Sequence, residues 1–179
     1  MKYISILRGI NVGGKKKIKM FDLKALYESL GFCNVITYIQ SGNVIFESNV
    51  KNKTSLKVLI EEAIKSKYKF SVPVELRTHR ELANIIKNCP FGDVDLEENG
   101  TKVLVTFFDA APSNDNVKKL LNTVVLPEQL VVKGKEAYVY CPGGYGKSKL
   151  SNTFLEKKFD VNATTRNWKS VSTLFELSM

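Results

Sequence analysis

Apolar and polar positions along the chain alternate between a period of two and a period near 3.6, and the two periods recur in a fixed order. Lys2 to Leu7 reads as a strand, and Leu23, Leu26, Tyr27 and Leu30 then fall at i, i+3, i+4 and i+7, the spacing of one helix face, with Gly31 as its stop. Val35 to Ile39 and Val44 to Phe46 flank Gln40-Ser41-Gly42-Asn43, so two strands joined by a short hairpin turn follow. Leu56, Leu59, Ile60, Ala63 and Ile64 predict a second helix with one apolar face. Val72 to Leu76, around Pro73, predicts an edge strand, where a missing N–H is tolerated. The order is β-α-β-β-α-β, closed by a short helix around Leu82, Ile85 and Ile86.

The same order begins again after Cys89-Pro90-Phe91-Gly92 and an acidic, glycine-ended stretch. Lys102 to Phe108 is a strand, Val117, Leu120, Leu121 and Val124 mark a helix, and Gln129 to Val132 and Ala137 to Cys141 make a hairpin around Gly134. Leu150, Phe154 and Leu155 mark another helix, Val161 to Thr164 a short strand, and Trp168, Val171, Leu174 and Phe175 a last helix. The expected fold class is therefore α+β: two ferredoxin-like β-α-β-β-α-β plaits in tandem, with an extra helix after each. The expected division is residues 1–90 for a basic first half, 91–100 for a linker, and 101–179 for the second half with its C-terminal helix. No residue-level identity between the halves accompanies the repeat. The first strand of each half is apolar on both sides (Tyr3, Ile4, Ile6, Leu7; Val103 to Val105, Phe107, Phe108), so both sheet faces should be covered. A covered sheet, and a third strand Asn43-Val44-Ile45-Phe46-Glu47 without stacking aromatics, argue against an exposed-sheet RNA reader.

Composition narrows the class. With 179 residues, 44% hydrophobic and 25% charged, the chain is that of an ordinary globular protein, and it has no 18-residue apolar run and no signal-peptide pattern. A soluble, cytoplasmic protein with no membrane partner is expected. Cys33, Cys89 and Cys141 form no Cys-x-x-Cys pair and read as buried thiols. The net charge of +9 lies wholly in residues 1–90, which hold 16 Lys or Arg against 7 Asp or Glu. Such a half either presents a solvated surface or steers phosphates or acidic proteins toward itself.

Candidate chemistry gathers in three segments. Leu7-Arg8-Gly9-Ile10-Asn11-Val12-Gly13-Gly14-Lys15-Lys16-Lys17 carries a strand out through an arginine into a glycine- and lysine-rich loop that can approach an anion. Pro142-Gly143-Gly144-Tyr145-Gly146-Lys147-Ser148 imitates the end of a phosphate-binding loop, but Cys141 stands where that motif needs its first glycine. Nucleotide hydrolysis is not expected there, whereas Ser148 as a helix cap with Lys147 and Lys149 nearby still suits an anion. Thr164-Thr165-Arg166-Asn167-Trp168 enters the last helix, with Asn167 or Thr165 as natural cap, while Arg166 could pair with a carboxylate of the fold or with a ligand oxyanion. Gln40, Ser41 and Asn43 are turn residues whose side chains suit backbone groups or a ligand equally. The single histidine, His79, stands in no metal motif and is read as flanking a helix; no metal or other cofactor is expected.

Leu7 to Gly14, Tyr38-Ile39-Gln40-Ser41-Gly42-Asn43-Val44, and Ser148-Lys149-Leu150 with Ala163 to Trp168 resemble the signature segments of the domain-of-unknown-function family 1697, over essentially the whole chain. The resemblance implies a soluble, mostly bacterial protein of two ferredoxin-like halves and no established activity. Lys147 departs from the arginine common at that place, keeping the charge but not the planar fork. The expected ligand-binding set is Arg8, Asn11, Gly13, Gly14, Gln40, Ser41, Asn43, Lys147, Ser148, Arg166 and Asn167. Arg8, Asn11, Asn43 and Arg166 are expected to converge at least partly in a polar, basic cleft. The expected function is binding of a phosphate-bearing or other anionic ligand, a nucleotide or nucleic acid. The alternative is a metal-independent small-molecule enzyme in which Arg8 or Arg166 orients an anionic group and Tyr38 or Lys147 moves a proton.

Overall fold

The computed structural model describes all residues, Met1–Met179. It is mixed α+β and forms two compact units, Met1–Ala83 with Leu174–Met179, and Asn84–Thr173. No helix is long and apolar enough to cross a membrane.

The first unit runs β1 (Lys2–Leu7), α1 (Met20–Ser29), β2 (Cys33–Tyr38), β3 (Asn43–Glu47), α2 (Lys53–Tyr68) and β4 (Val74–Thr78), after which α3 (His79–Lys87) begins. Its strands form one antiparallel sheet in the order β2-β3-β1-β4. Alternation sends Tyr3, Ser5 and Leu7 to one face, where Tyr3 and Leu7 join Val44, Phe46, Val74 and Leu76 against Leu23 and Tyr27 of α1 and Leu56, Ile60 and Ile64 of α2. Burying a side chain such as Phe46, fully enclosed here, stabilises the unit by about 1.5–3 kcal/mol. Ser5 is the one polar residue in that row, and its hydroxyl meets the Tyr27 hydroxyl at 2.7 Å, so neither group is left unsatisfied by burial. The opposite face is also closed to solvent at Ile4, Ile6 and Ile45, as expected for strands apolar on both sides. Asn52 starts α2 by accepting from the Ser55 amide, and Lys69, at φ +63, ends it.

The second unit contains α4 (Leu96–Asn99), β5 (Val103–Phe108), α5 (Asn114–Leu121), β6 (Gln129–Lys133), β7 (Glu136–Tyr140), a 3₁₀ turn at Tyr145–Lys147, α6 (Asn152–Phe159) and β8 (Ala163–Asn167); α7 (Trp168–Leu177) starts within it. The sheet is again antiparallel, ordered β6-β7-β5-β8. Leu104, Phe108, Val139 and Ala163 of the sheet pack with Leu120, Leu150, Leu155 and Phe159. The acidic stretch before β5 holds the one-turn α4, whose Asp95 accepts from the amides of Glu97 and Glu98.

Several expectations are corrected. The strand expected at Val72 to Leu76 runs Val74–Thr78, because Pro73 has no amide for the ladder; its carbonyl instead accepts from the Arg8 amide. The strand expected at Val161 to Thr164 runs Ala163–Asn167, paired from Phe108↔Ala163 to Leu104↔Asn167, so Arg166 and Asn167 are strand residues. Leu59 is exposed, since the buried stripe of α2 follows Leu56, Ile60 and Ile64 at i, i+4 and i+8. Of the three thiols only Cys141 is buried; Cys33 is exposed and Cys89 lies between.

Candidate functional site

The glycine-lysine segment is a small, pinned hairpin. The Leu7 amide donates to the Gly42 carbonyl at 2.8 Å and the Arg8 amide to the Pro73 carbonyl at 2.9 Å, which anchors the exit of β1 to the segments entering β3 and β4. Val12 and Lys15 then pair antiparallel, and the Asn11 amide donates to the Lys16 carbonyl at 3.2 Å. Gly13 and Gly14 stand at the tip with φ of +56° and +73°, the two positive values of a tight hairpin turn that glycine adopts without Cβ strain. Their amides lie at the exposed tip, outside the hairpin's own Asn11 and Lys15 donors.

Asn11 holds this hairpin in place. Its Nδ2 donates to the Ile18 carbonyl at 2.9 Å and to the Gln40 carbonyl at 2.8 Å, while its Oδ1 accepts from the Ile18 amide at 2.9 Å. One side chain thereby closes the base of the loop and ties it to the β2–β3 turn. Lys16 is also engaged, its Nζ donating to the Ser71 carbonyl at 2.7 Å, whereas Lys15, Lys17 and Lys19 stand exposed. Ile10, buried beneath the hairpin, packs on Gly42: a Cβ there would come within 2.5 Å of Ile10 Cδ1 and 3.0 Å of Leu7 Cβ.

The β2–β3 turn stands beside the hairpin. Asn43 is fully buried and its Nδ2 donates to the Tyr38 carbonyl at 3.1 Å and the Ser41 Oγ at 3.2 Å, so its amide shapes the turn. Gln40 is exposed, and Ser41 and Tyr38 are half-buried. The first unit thus brings together the loop of Asn11, Gly13 and Gly14 with the turn of Gln40, Ser41 and Asn43, and Arg8 stands half-buried at the base of that loop.

Lys147, Ser148, Arg166 and Asn167 belong to the second unit. Ser148 does not cap a helix: its Oγ accepts from the Leu150 amide at 3.0 Å, and α6 is capped by Ser151, which accepts from the Phe154 amide. The Gly146-Lys147-Ser148 resemblance to a phosphate loop therefore sits in a 3₁₀ turn, removed from any helix N-terminus. Asn167 does cap α7, its Oδ1 accepting from the Ser170 amide at 2.9 Å; Thr165 instead meets Thr106 and Asn152. Arg166 is 9% exposed, donates to the Thr165 carbonyl at 2.8 Å, and burial pushes its guanidinium down to about 10, leaving it cationic at neutral pH.

The profile of the family described as protein of unknown function (DUF1697) matches residues 1–138. The chain belongs to that family. It is also similar in structure, over 99% of its length and 98% of the other chain, to conserved bacterial protein SP0830 from Streptococcus pneumoniae, with a TM-score of 0.75 and 25% identity. No curated protein matches the chain.

This member of the family carries a buried charged row that sequence reasoning missed. Glu75, 6% exposed on β4, accepts from Lys57 Nζ at 2.8 Å and from Arg77 Nη1 at 3.3 Å, and Arg77, 5% exposed, also donates to the Leu76 carbonyl. The signal was present as Glu75-x-Arg77, two charges at period two within an apolar strand. One residue on, Thr78 and Glu81 form a reciprocal cap of α3: the Glu81 amide donates to Thr78 Oγ1 and the Thr78 amide donates to the Glu81 carboxylate. Burial raises the Glu81 carboxyl, but the hydrogen bonds from Lys53 and Thr78 outweigh it and hold it below its ordinary value. His79, the first residue of α3, meets Ser178 Oγ at 2.9 Å and stacks on Phe175.

Proposed function

We propose that the pinned hairpin of the first unit binds a phosphate-bearing ligand, nucleotide or nucleic acid. The observation that carries this reading is a hairpin pinned at its base by Asn11, with Gly13 and Gly14 at its exposed tip next to Lys15 and with Lys17 and Lys19 also exposed just after it. A rigid cationic loop gives an anion both charge and backbone donors without ordering the loop at each encounter. The concentration of all net positive charge in residues 1–90 supports it, because long-range attraction raises the local concentration of an anion. We further read each unit as a ferredoxin-like plait, duplicated along the chain; the strand orders β2-β3-β1-β4 and β6-β7-β5-β8 support that reading. A cytoplasmic setting is in keeping with three free cysteines.

The test is anisotropy of a labelled single-stranded RNA, and of a labelled nucleotide, across a salt series. For RNA, the Lys15→Ala/Lys17→Ala variant should weaken binding and reduce the slope of log K against log salt by about 1.4, two phosphate contacts at about 0.7 each. RNA and nucleotide binding that is absent, or unchanged in the variant, overturns the reading.

A further inference from the structure

The second unit is less strongly basic than the first, yet one of its surfaces combines an apolar cavity with lysines. Where the chain leaves α5, the segment Thr123 to Glu128 and the segment Lys147 to Phe154 enclose a cavity of about 300 Å³. Its walls are Val124, Val125, Leu150 and Phe154. Lys147, Lys149 and Glu128 supply the charge around it, and both lysines are exposed. Val125 and Leu126, on the same segment, are 75% and 77% exposed, an uncovered apolar strap at the rim. A smaller cavity of about 140 Å³ shares Thr123 and is flanked by Lys119 and Lys158. Lys158 Nζ lies 5.6 Å from the centre of the Phe154 ring.

We propose that this cavity binds an amphipathic monoanion, an aliphatic carboxylate whose chain lies on Val124, Val125, Leu150 and Phe154 and whose head meets Lys147 and Lys149. The apolar walls select a chain over a bare ion, since a hydrated phosphate gains nothing from them. Two lysines against one glutamate leave a single excess positive charge at the cavity, which matches one carboxylate better than a dianion. Exposed Val125 is the cavity surface such a chain would cover, and the hydrophobic gain of covering it favours the bound state. The phosphate-loop resemblance of Gly146-Lys147-Ser148 thus acquires a different use, in which Lys147 serves as a head-group cation at the edge of an apolar site.

The experiment is titration of the full chain with butyrate, hexanoate, octanoate, octanol and inorganic phosphate, followed by calorimetry and by amide chemical shifts. Affinity should rise about fourfold per added methylene until the cavity is filled. Octanol should bind more weakly than octanoate. Lys147→Ala/Lys149→Ala should lower octanoate affinity while leaving octanol binding unchanged. Val125→Glu, at a position already exposed and so compatible with folding, should abolish octanoate binding. Affinity independent of chain length, phosphate bound as tightly as octanoate, or octanoate affinity unchanged in the lysine variant would each overturn the proposal. RNA binding at the first unit's hairpin is read separately in the same variants, so either site can fail without the other.

Discussion

Replacing Asn11 tests whether the hairpin is held by one side chain. Asn11→Ala removes three hydrogen bonds, from Nδ2 to the carbonyls of Ile18 and Gln40 and from the Ile18 amide to Oδ1. These groups are partly open to water, so each bond is worth the lower part of the usual range, about 0.5–1 kcal/mol. Asn11 also sits at φ +55°, a conformation asparagine tolerates better than alanine by about 1 kcal/mol. The expected loss is about 2.5–4 kcal/mol. Two further variants separate the contributions. Asn11→Gly relieves the backbone strain and loses only the bonds, so it should fall about 1 kcal/mol short of the alanine loss. Asn11→Asp keeps an acceptor for the Ile18 amide but faces two carbonyls with a carboxylate, so it should be as damaging as alanine near neutrality and improve as the acid protonates.

The assay is urea unfolding followed by circular dichroism, with the slope checked for constancy, together with hydrogen exchange at the Ile18 amide. Exchange there should quicken in Asn11→Ala and Asn11→Gly and stay slower in Asn11→Asp, which keeps an acceptor for that amide. An Asn11→Ala protein within about 0.5 kcal/mol of the parent, or an aspartate variant as stable as the parent at neutral pH, would refute the account of Asn11 as the loop's fastener.

Three further outcomes are expected. Gly42→Ala should cost about 2–4 kcal/mol, because φ is +81° and the new methyl meets Ile10 and Leu7, whereas Gly14→Ala, strained but with nothing within 4 Å, should cost about 1–2; equal losses in urea unfolding would refute the packing argument. Because the folded Glu81 carboxyl lies below its ordinary value, its contribution is fully present above the unfolded value and is lost as pH falls through the folded one; the stability gap between the parent and Glu81→Gln should therefore narrow as the solution is acidified through and below the ordinary carboxylate range, and a constant gap would exclude this linkage. A thiol reagent should modify Cys33 first, since it is exposed while burial pushes the thiols of Cys89 and Cys141 up; a fast phase that survives Cys33→Ser would contradict this assignment.

Most elements were legible because their signals are local. The i, i+3, i+4, i+7 pattern of Leu23, Leu26, Tyr27 and Leu30, and the Gly42 turn between two apolar runs, each lie within a dozen residues, and the structure bears out the helix and the hairpin. Gly13 and Gly14 were visible as part of a glycine-rich loop, whereas the hairpin they turn comes from the pairing of Val12 with Lys15. The role of Asn11 was hidden, since its partners Ile18 and Gln40 are 7 and 29 residues away and no periodicity links them. The cavity of the second unit was hidden likewise: Lys147 was noticed for its glycine context, but Val124 and Glu128 reach it from another segment. The boundary errors at Pro73 and Ala163 arose at strand ends, where pairing with β1 and β5 decides the limits.

The register of the two sheets also shows a repeated feature that linear comparison missed. Arg77 pairs with Ile4 of β1, and Arg166 pairs with Val105 of β5; each stands one residue before the cap of the next helix, Thr78 for α3 and Asn167 for α7. Each guanidinium donates through Nη1 to the carbonyl of the preceding residue, at 2.9 Å for Arg77 and 2.8 Å for Arg166. The flanks, Val74-Glu75-Leu76 and Ala163-Thr164-Thr165, share no residue, so the correspondence emerges only through the pairing. It also contains a difference with a physical consequence. Glu75 gives Arg77 a carboxylate from its own strand, while Thr164 stands in that place beside Arg166, whose guanidinium burial lowers. Two arginines less than one-tenth exposed, set into matching edge strands just before helix caps, are positioned by the sheet. Both arginines are buried while Lys15, Lys17 and Lys19 are exposed, so the proposed phosphate binding rests on the hairpin lysines, and the salt slope of the Lys15→Ala/Lys17→Ala variant is its decisive measure.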